Sequence, residues 1–212
     1  MLRRGLLVDH DIRAALRSGD LVVSDLDESL VRPAAVSLRL GNEVYVLSSR
    51  GLVDVSDAGT YPDLVPRLPD EAGRFLLRPR EVLLARTYER VGLSERLAGL
   101  LDGTSDWARL GVSIVLAHQV SPGYGMPRGA PLTLEIVSRL EHEILLKPGM
   151  RVANLLLVRG RRAQRSYRDM PAHHSGPAWS IGSRLSEAEA ALGHNLRPSD
   201  REQVRGSWTD GH

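Results

Sequence analysis

The sequence has 212 residues, of which 42% are hydrophobic and 25% are charged, the proportions of a soluble globular protein of one domain with or without a tail. The net charge is only +2, the basic residues are dispersed and 4% of the residues are aromatic, so the sequence predicts no nucleic-acid partner. The absence of cysteine excludes disulfide bonds, thiolate catalysis and zinc sites built on cysteine.

No apolar run approaches the roughly 18 residues that a membrane-spanning helix requires. The apolar stretch at the N-terminus is interrupted by Asp9, which is too early for a secretory signal peptide. We therefore expect a cytoplasmic protein without a membrane partner.

The elements predicted along the chain are mostly short strands. A helix over residues 12–18 comes first, with Asp9 or Asp11 as its cap and Gly19 at its end. A single helical turn is predicted over residues 94–100. Strands are predicted over residues 21–23, 35–40, 43–47, 74–77, 81–86, 112–116, 132–137, 143–146 and 152–158. Many short strands separated by turn-forming residues indicate a mainly-β barrel or sandwich.

The composition becomes polar and charged from about residue 159. Residues 186–192 predict a peripheral helix, with Ser186 and Glu189 in the positions of a capping box. We therefore divide the chain into a main domain, residues 1–184, and a polar, partly helical extension, residues 185–212.

Glu135 stands in the otherwise apolar strand predicted over residues 132–137. A buried carboxylate is costly unless it is paired or functional, so Glu135 is a candidate for proton transfer. The alternative is that Glu135 lies on the solvent-facing side of an alternating strand. The pattern of this strand leaves both interpretations open.

Ser105 and Arg109 are four residues apart, so one helical turn would place them on the same face. A hydroxyl and a guanidinium beside backbone amides can orient water or bind phosphate. The alternative is that Ser105 or Asp106 caps a short helix and that Arg109 is a surface cation.

Several short motifs follow one another along the chain: residues 8–12 and 31–41, PREVLLART at 79–87, GTSDWAR at 103–109, LE at 134–135 and PGM at 148–150. In this order they resemble the dCTP deaminase/dUTPase family, over roughly residues 6–184. An ordered set of motifs is more specific than any one of them.

The resemblance implies a distorted β-barrel of the dUTPase-like (β-clip) type and a homotrimer with sites between subunits. It implies conversion of dCTP to dUTP without zinc, with Mg²⁺ bound to the triphosphate. In such a reaction water reaches C4 of cytosine, a proton reaches the ring nitrogen and ammonia leaves.

Carried over by the resemblance, Glu135 is the general base and acid. Ser105 and Arg109 hold the water and the charged intermediate or the phosphate. Thr133 and Leu134, on the strand of the glutamate, are expected along the base. Ala117 matches the small residue near the pyrimidine, where a bulkier side chain would hinder the water or the amino group.

The presumed binding residues depart from the family pattern. Thr104 replaces an arginine, Asp106 replaces a serine and Trp107 replaces a leucine. In the hairpin that follows, Ser121 replaces the aspartate expected to meet the sugar hydroxyl, and Tyr124 lies three residues further on. We assign all five positions to substrate binding.

The C-terminal segment that closes the site in the family is altered as well. Tyr167 is retained, Met170 replaces a lysine and His174 replaces a glutamine. We assign Tyr167 and His174 to substrate binding, with a polar loop residue as the alternative for His174. His173 and His174 lack a third ligand at suitable spacing, so no protein-built metal site is expected.

The leading hypothesis is therefore deamination of dCTP or a close relative, such as a nucleotide with fewer phosphates. One alternative is pyrophosphate hydrolysis of dUTP, against which Ser121 argues because dUTPases use an aspartate there. The other alternative is a non-catalytic trimer that binds a nucleotide.

Overall fold

The computed structural model describes residues 5–48, 51–170, 181–185, 187 and 188. Two α-helices lie completely within these residues, α1 (Asp9–Ser18) and α2 (Ser105–Arg109), together with three short 3₁₀ helices, Glu28–Leu30, Ala58–Thr60 and Tyr167–Asp169. The strands are β1 Gly5–Leu6, β2 Leu21–Val23, β3 Val31–Arg32, β4 Ala35–Ser48, β5 Asp63–Pro66, β6 Phe75–Leu77, β7 Val82–Leu93, β8 Leu97–Gly103, β9 Val112–Ser113, β10 Gln119–Val120, β11 Ala130–Ser138, β12 Ile144–Leu146 and β13 Arg151–Arg159.

One antiparallel sheet contains most of these strands, in the order β10-β8-β13-β4-β7-β11-β9. β1 pairs with β13, β2 pairs with β7, and both β3 and β5 pair with β4, while β12 and β6 form a separate two-stranded sheet. The large sheet curls into a half-barrel around a hydrophobic core. The predicted mainly-β, barrel-type fold is therefore confirmed.

The core lies on the inner face of the curled sheet. Leu134 and Ile136 of β11 and Leu155 and Leu157 of β13 belong to one cluster of fully buried side chains. Helix α1 contributes Ile12 and Ala15 to the same cluster. No helix among the described residues is both long and apolar enough to span a membrane.

Helix α1 begins three residues earlier than predicted, with Val8 at the N-cap position instead of Asp9 or Asp11. Asp11 still serves the helix start, because its carboxylate accepts a hydrogen bond from the Val8 amide at 3.4 Å. Gly19 ends the helix as predicted, in the left-handed conformation with φ +73°.

The two strands predicted over residues 35–40 and 43–47 are a single strand, β4. Gly41 is a bulge and not a turn, since the pairing of β4 with β7 shifts register between Leu40 and Val44. A Cβ at Gly41 would lie 2.8 Å from the Arg86 carbonyl oxygen, so only glycine fits there.

The helical turn predicted over residues 94–100 is wrong. Only a turn at Ser94 and Leu97 is present, and β8 follows it directly. Leu97 and Leu101 of β8 are buried, whereas Leu100 between them is 49% exposed. This two-residue period is typical of a strand, and pairing with β13 along its length stabilises it.

Part of the C-terminal prediction can be compared with the structure. Of the helix predicted over residues 186–192, only residues 187 and 188 are described, and both are helical. His173 and His174 lie outside the described residues. The division at residue 184 stays a prediction.

Candidate active site

Glu135 occupies the half-exposed face of β11. The strand alternates strictly in this region, with Leu134 and Ile136 buried and Thr133, Glu135 and Val137 only partly buried. Glu135 stands opposite Leu84 of β7. The carboxylate is therefore withdrawn from bulk solvent without being enclosed in the core.

One oxygen of the Glu135 carboxylate is held by two backbone amides. Oε2 accepts hydrogen bonds from the amide of Leu116 at 3.0 Å and from the amide of Ala117 at 3.4 Å. Among the described residues, the carboxylate has no other hydrogen-bond partner. Oε1 is thus available to a water molecule or a ligand, while the amides stabilise the negative charge.

These amides belong to a loop, although the sequence predicted a strand over residues 112–116. β9 ends at Ser113, because only the last two residues of β11 pair with it. Ile114 and Val115 are buried, and the chain then emerges with Leu116 and Ala117 exposed. The Ala117 side chain lies on the surface at the point where its own amide contacts Glu135.

The predicted helical turn at residues 105–109 is helix α2, with Thr104 at its N-cap position. The Thr104 side chain makes no capping hydrogen bond. Nη1 of Arg109 donates to Ser105 Oγ and to Asp106 Oδ1, each at 3.3 Å. Ser105 and Arg109 therefore lie on one face as predicted, but the Asp106 carboxylate shares the same guanidinium nitrogen.

The cluster on α2 is open to solvent. The side chains of Arg109 and Asp106 are 74% and 88% exposed. At such exposure their ion pair contributes little to stability. A charged ligand can reach the Arg109 guanidinium directly and would meet the Asp106 carboxylate beside it.

The α2 cluster and the Glu135 carboxylate are not joined within one chain. Helix α2 leads into β9, whose Ser113 pairs with Val137 of β11. Among the described residues, no hydrogen bond or ion pair connects Ser105 or Arg109 to Glu135.

Three of the residues assigned to substrate binding, Trp107, Tyr124 and Leu134, have side chains in the core. Trp107 is 7% exposed, and its indole nitrogen donates to the Arg151 carbonyl oxygen at 2.9 Å. The Leu134 side chain is fully buried. Trp107 thus anchors α2 to β13, and Leu134 packs the sheet. Thr133 is partly buried on the face of Glu135, opposite Arg86 of β7.

The hairpin residues pack against the segment that follows β13. Tyr124 is buried, its hydroxyl donates to the Pro131 carbonyl oxygen at 2.7 Å, and its ring lies 5.6 Å from that of Tyr167. The Tyr167 amide donates to the Pro122 carbonyl oxygen at 2.8 Å. Burial raises the pKa of the Tyr124 phenol, so it stays neutral. Ser121 is partly buried at the start of this loop.

One group that contacts Glu135 was not predicted from the sequence. The backbone amide of Leu116 has no side-chain signature that would indicate its role. His118 follows Ala117 directly, and its imidazole contacts β8. The described residues include no group of three histidine or acidic side chains that could hold a metal ion.

Comparison with known proteins assigns the chain to a family. A family model described as dCTP deaminase-like matches residues 6–160. The chain belongs to the dCTP deaminase-like family. The matched residues include α2 and Glu135, so both parts of the candidate site lie in the family domain.

Curated relatives of this dCTP deaminase-like chain are enzymes. A protein from Mycolicibacterium vanbaalenii named "dCTP deaminase, dUMP-forming" is 35% identical over 184 residues, which cover 84% of this chain and 89% of the relative. A protein of the same name from Methanopyrus kandleri is 35% identical over 181 residues, covering 81% and 91% of the two chains.

A solved structure shares the fold. The crystal structure of 2'-deoxycytidine 5'-triphosphate deaminase from Agrobacterium tumefaciens matches with a TM-score of 0.56 at 24% identity. The match covers 74% of this dCTP deaminase-like chain and 49% of that chain. The curled antiparallel sheet is therefore common to both proteins.

Proposed function

We propose that the chain hydrolyses a cytosine nucleotide, dCTP or a close relative, to the corresponding uracil nucleotide and ammonia. The observation that carries the proposal is the Glu135 carboxylate, held by two amides through one oxygen and available through the other. Membership of the dCTP deaminase-like family supports it.

Glu135 acts as general base and general acid. Oε1 removes a proton from water as the oxygen adds to C4, and the same carboxyl group delivers that proton to the ring nitrogen. A second transfer through Glu135 moves a proton from the added hydroxyl to the amino group, which leaves as ammonia. The reaction consumes one water per ammonia and needs no redox partner.

Ser105 and Arg109 stabilise the charge that develops on the nucleotide. A hydroxyl and a guanidinium aimed at the intermediate or at a phosphate lower the barrier by electrostatic stabilisation. We propose Thr133, Ala117 and the loop around Ser121 as the surroundings of the base and sugar. Thr104, Asp106 and Tyr167 line the approach of the remaining nucleotide, with His174 as a further candidate.

Mg²⁺ enters this scheme as part of the nucleotide complex. The described residues do not provide the three carboxylate or imidazole groups of a resident ion site, and triphosphate oxygens are good Mg²⁺ ligands. The side chains that act on the base are those named above, and no step of their chemistry passes through the ion.

We further propose a homotrimer with sites between subunits. The Ser105–Arg109 pair and Glu135 share no hydrogen bond within the described part of one chain, so a second subunit would bring them together. Mixing inactive Arg109→Ala and Glu135→Gln chains after mild dissociation tests this arrangement. Recovered deaminase activity supports shared sites, whereas a mixture as inactive as its components contradicts them.

A second candidate reaction goes further, to the monophosphate. It is favoured by the name of the relatives, which describes them as dUMP-forming. In that case one dCTP and two waters would give dUMP, pyrophosphate and ammonia. Ser121 stands where an aspartate is expected to orient the second water, so this step would need another group.

The deciding experiment is a chromatographic assay with Mg²⁺ against dCTP, CTP, dCMP, CMP and dUTP. We expect a cytosine nucleotide to be converted to its uracil partner, with dUTP or dUMP as the product distinguishing the two reactions. Glu135→Gln should abolish conversion, while Glu143→Gln, which changes an exposed glutamate, should not. Tight binding of a nucleotide without turnover would instead support a non-catalytic trimer.

A further inference from the structure

We infer that His118 is a positioning residue for Glu135, acting through the loop that holds the carboxylate. The inference rests on the proposed deaminase function. It starts from a pair of hydrogen bonds between His118 and Leu101 of β8. The Leu101 amide donates to the His118 carbonyl oxygen at 2.8 Å, and His118 Nδ1 lies 2.9 Å from the Leu101 carbonyl oxygen.

The imidazole takes the place of a backbone group in the sheet. β10 pairs with β8 through Val120 opposite Gly99 and Gln119 opposite Leu100, so the next pair would be His118 opposite Leu101. In a hydrogen-bonded pair of a regular antiparallel ladder, each residue donates its backbone amide to the carbonyl oxygen of the other. Here the carbonyl oxygen of Leu101 is satisfied by the side chain of His118.

The geometry also assigns the proton on the ring. A carbonyl oxygen can only accept, so Nδ1 carries the hydrogen and donates it. The Asp102 carboxylate lies further from Nδ1, at 3.9 Å, and is 71% exposed. The Leu101 carbonyl is therefore the partner that orients the ring.

Because the His118 imidazole replaces a backbone amide as the partner of the Leu101 carbonyl oxygen, the chain before His118 is free to turn towards Glu135. With the end of the ladder closed by a side chain, the backbone before His118 can leave the sheet. The two preceding residues, Leu116 and Ala117, then direct their amides to the Glu135 carboxylate. Loss of the imidazole contact removes one of the two hydrogen bonds between His118 and Leu101 of β8, and the amides of Leu116 and Ala117 are then held less firmly.

The test compares two variants at position 118 with one control variant elsewhere, all in the full chain. His118→Ala should lower kcat about tenfold, the effect of one lost hydrogen bond, with little change in KM. His118→Asn keeps an N–H donor near the position of Nδ1 and should restore most of kcat. His142→Ala, an exposed histidine in another loop, should behave as wild type.

A double-mutant comparison separates positioning from a general structural effect. Glu135→Asp keeps a carboxylate but withdraws it from the amides of Leu116 and Ala117. If His118 acts through Glu135, His118→Ala should therefore cause no further loss in the residual activity of a Glu135→Asp chain. Independent losses in the two backgrounds would overturn the inference. Failure of His118→Asn to restore activity would also overturn it, because the imidazole itself would then be required.

Hydrogen exchange tests the same inference without turnover. The amides of residues 116 and 117 should be protected in the wild type and exchange faster in both His118→Ala and Glu135→Gln. Unchanged protection in His118→Ala would overturn the positioning role. A wild-type protein with protected amides and no deaminase activity would refute the proposed function. It would leave intact the inference that His118 positions the loop at residues 116 and 117.

Discussion

Asp20 and Arg159 form an ion pair that links the turn after α1 to the last residue of β13. Their side chains approach to 2.6 Å and are only 22% and 6% exposed. Burial raises the pKa of the Asp20 carboxyl, but hydrogen bonds from Arg159 and Ser94 outweigh it, and the pKa lies below its ordinary value. The charged form of Asp20 is therefore favoured by folding.

This pair predicts a specific acid dependence of stability. A depressed pKa in the folded state stabilises the protein above the unfolded value of about 3.9, and that contribution disappears as the pH falls through the lower folded value. Asp20→Asn should therefore cost about 2 kcal/mol of unfolding free energy at pH 7. Urea unfolding should show the difference from wild type shrinking below about pH 4, and a constant difference would contradict this account.

Gly125 predicts a large steric effect of a single methyl group. It has φ +65°, and a Cβ would lie 2.0 Å from the Val91 carbonyl oxygen. Gly125→Ala should lower the unfolding free energy by about 3 kcal/mol or more. Gly149→Ala is the matched control, since Gly149 has φ +81° and open space around it, and should cost about 1 kcal/mol. The unfolding free energies of the two variants are measured by thermal unfolding. Equal losses would show that backbone strain at positive φ, and not the contact with the Val91 carbonyl oxygen, dominates the effect.

Replacement of Asp106 is expected to change the affinity for the nucleotide. Its carboxylate competes for Nη1 of Arg109 and repels phosphate, so Asp106→Ser should lower the KM for dCTP about tenfold with little change in kcat. Steady-state kinetics checks this expectation. Glu141→Ser removes another exposed, ion-paired carboxylate and should leave KM unchanged. An unaltered KM in Asp106→Ser would place the phosphates elsewhere.

Replacement of Ala117 by a larger residue is expected to lower kcat without lowering the stability of the protein. Its exposed methyl group lies in the loop that contacts Glu135, and the branched side chain of Ala117→Val would displace the water or the base. A displacement of about 1 Å can lower kcat by about a hundredfold. Ala72→Val, in an exposed turn, is the control. Similar kcat values for the two variants would exclude Ala117 from the site.

The parts of the site that local patterns encode were predictable. The two-residue period of the strand over residues 132–137 placed Glu135 and Leu134 on opposite faces of the strand. The four-residue spacing of Ser105 and Arg109 indicated a helical turn, which is α2 in the structure. Both patterns depend only on neighbouring residues. For Glu135 the structure combines the two interpretations, a half-exposed face and a carboxylate with specific partners.

The partners of Glu135 were not predictable in the same way. Residues 112–116 include the β-branched Val112, Ile114 and Val115, which favour a strand, but pairing with β11 ends at Ser113 and the chain departs from the sheet. The groups that then bind the carboxylate are backbone amides, which every residue type except proline carries. Trp107 illustrates the converse, since its assigned position indicated a ligand contact and its indole instead binds the backbone of β13.

The pairing of β1 with β13 has a consequence for biosynthesis. Gly5 pairs with Arg159 and Leu6 with Val158, and β13 also separates β8 from β4. On the ribosome, β8 is complete at residue 103, but β13, the neighbour that pairs with it along its whole length, begins only at Arg151. At typical synthesis rates this interval lasts roughly 2 to 10 s, during which strand edges of the nascent chain stay unpaired. Slow synonymous codons between these positions should therefore increase aggregation, whereas the same codons after residue 159 should not.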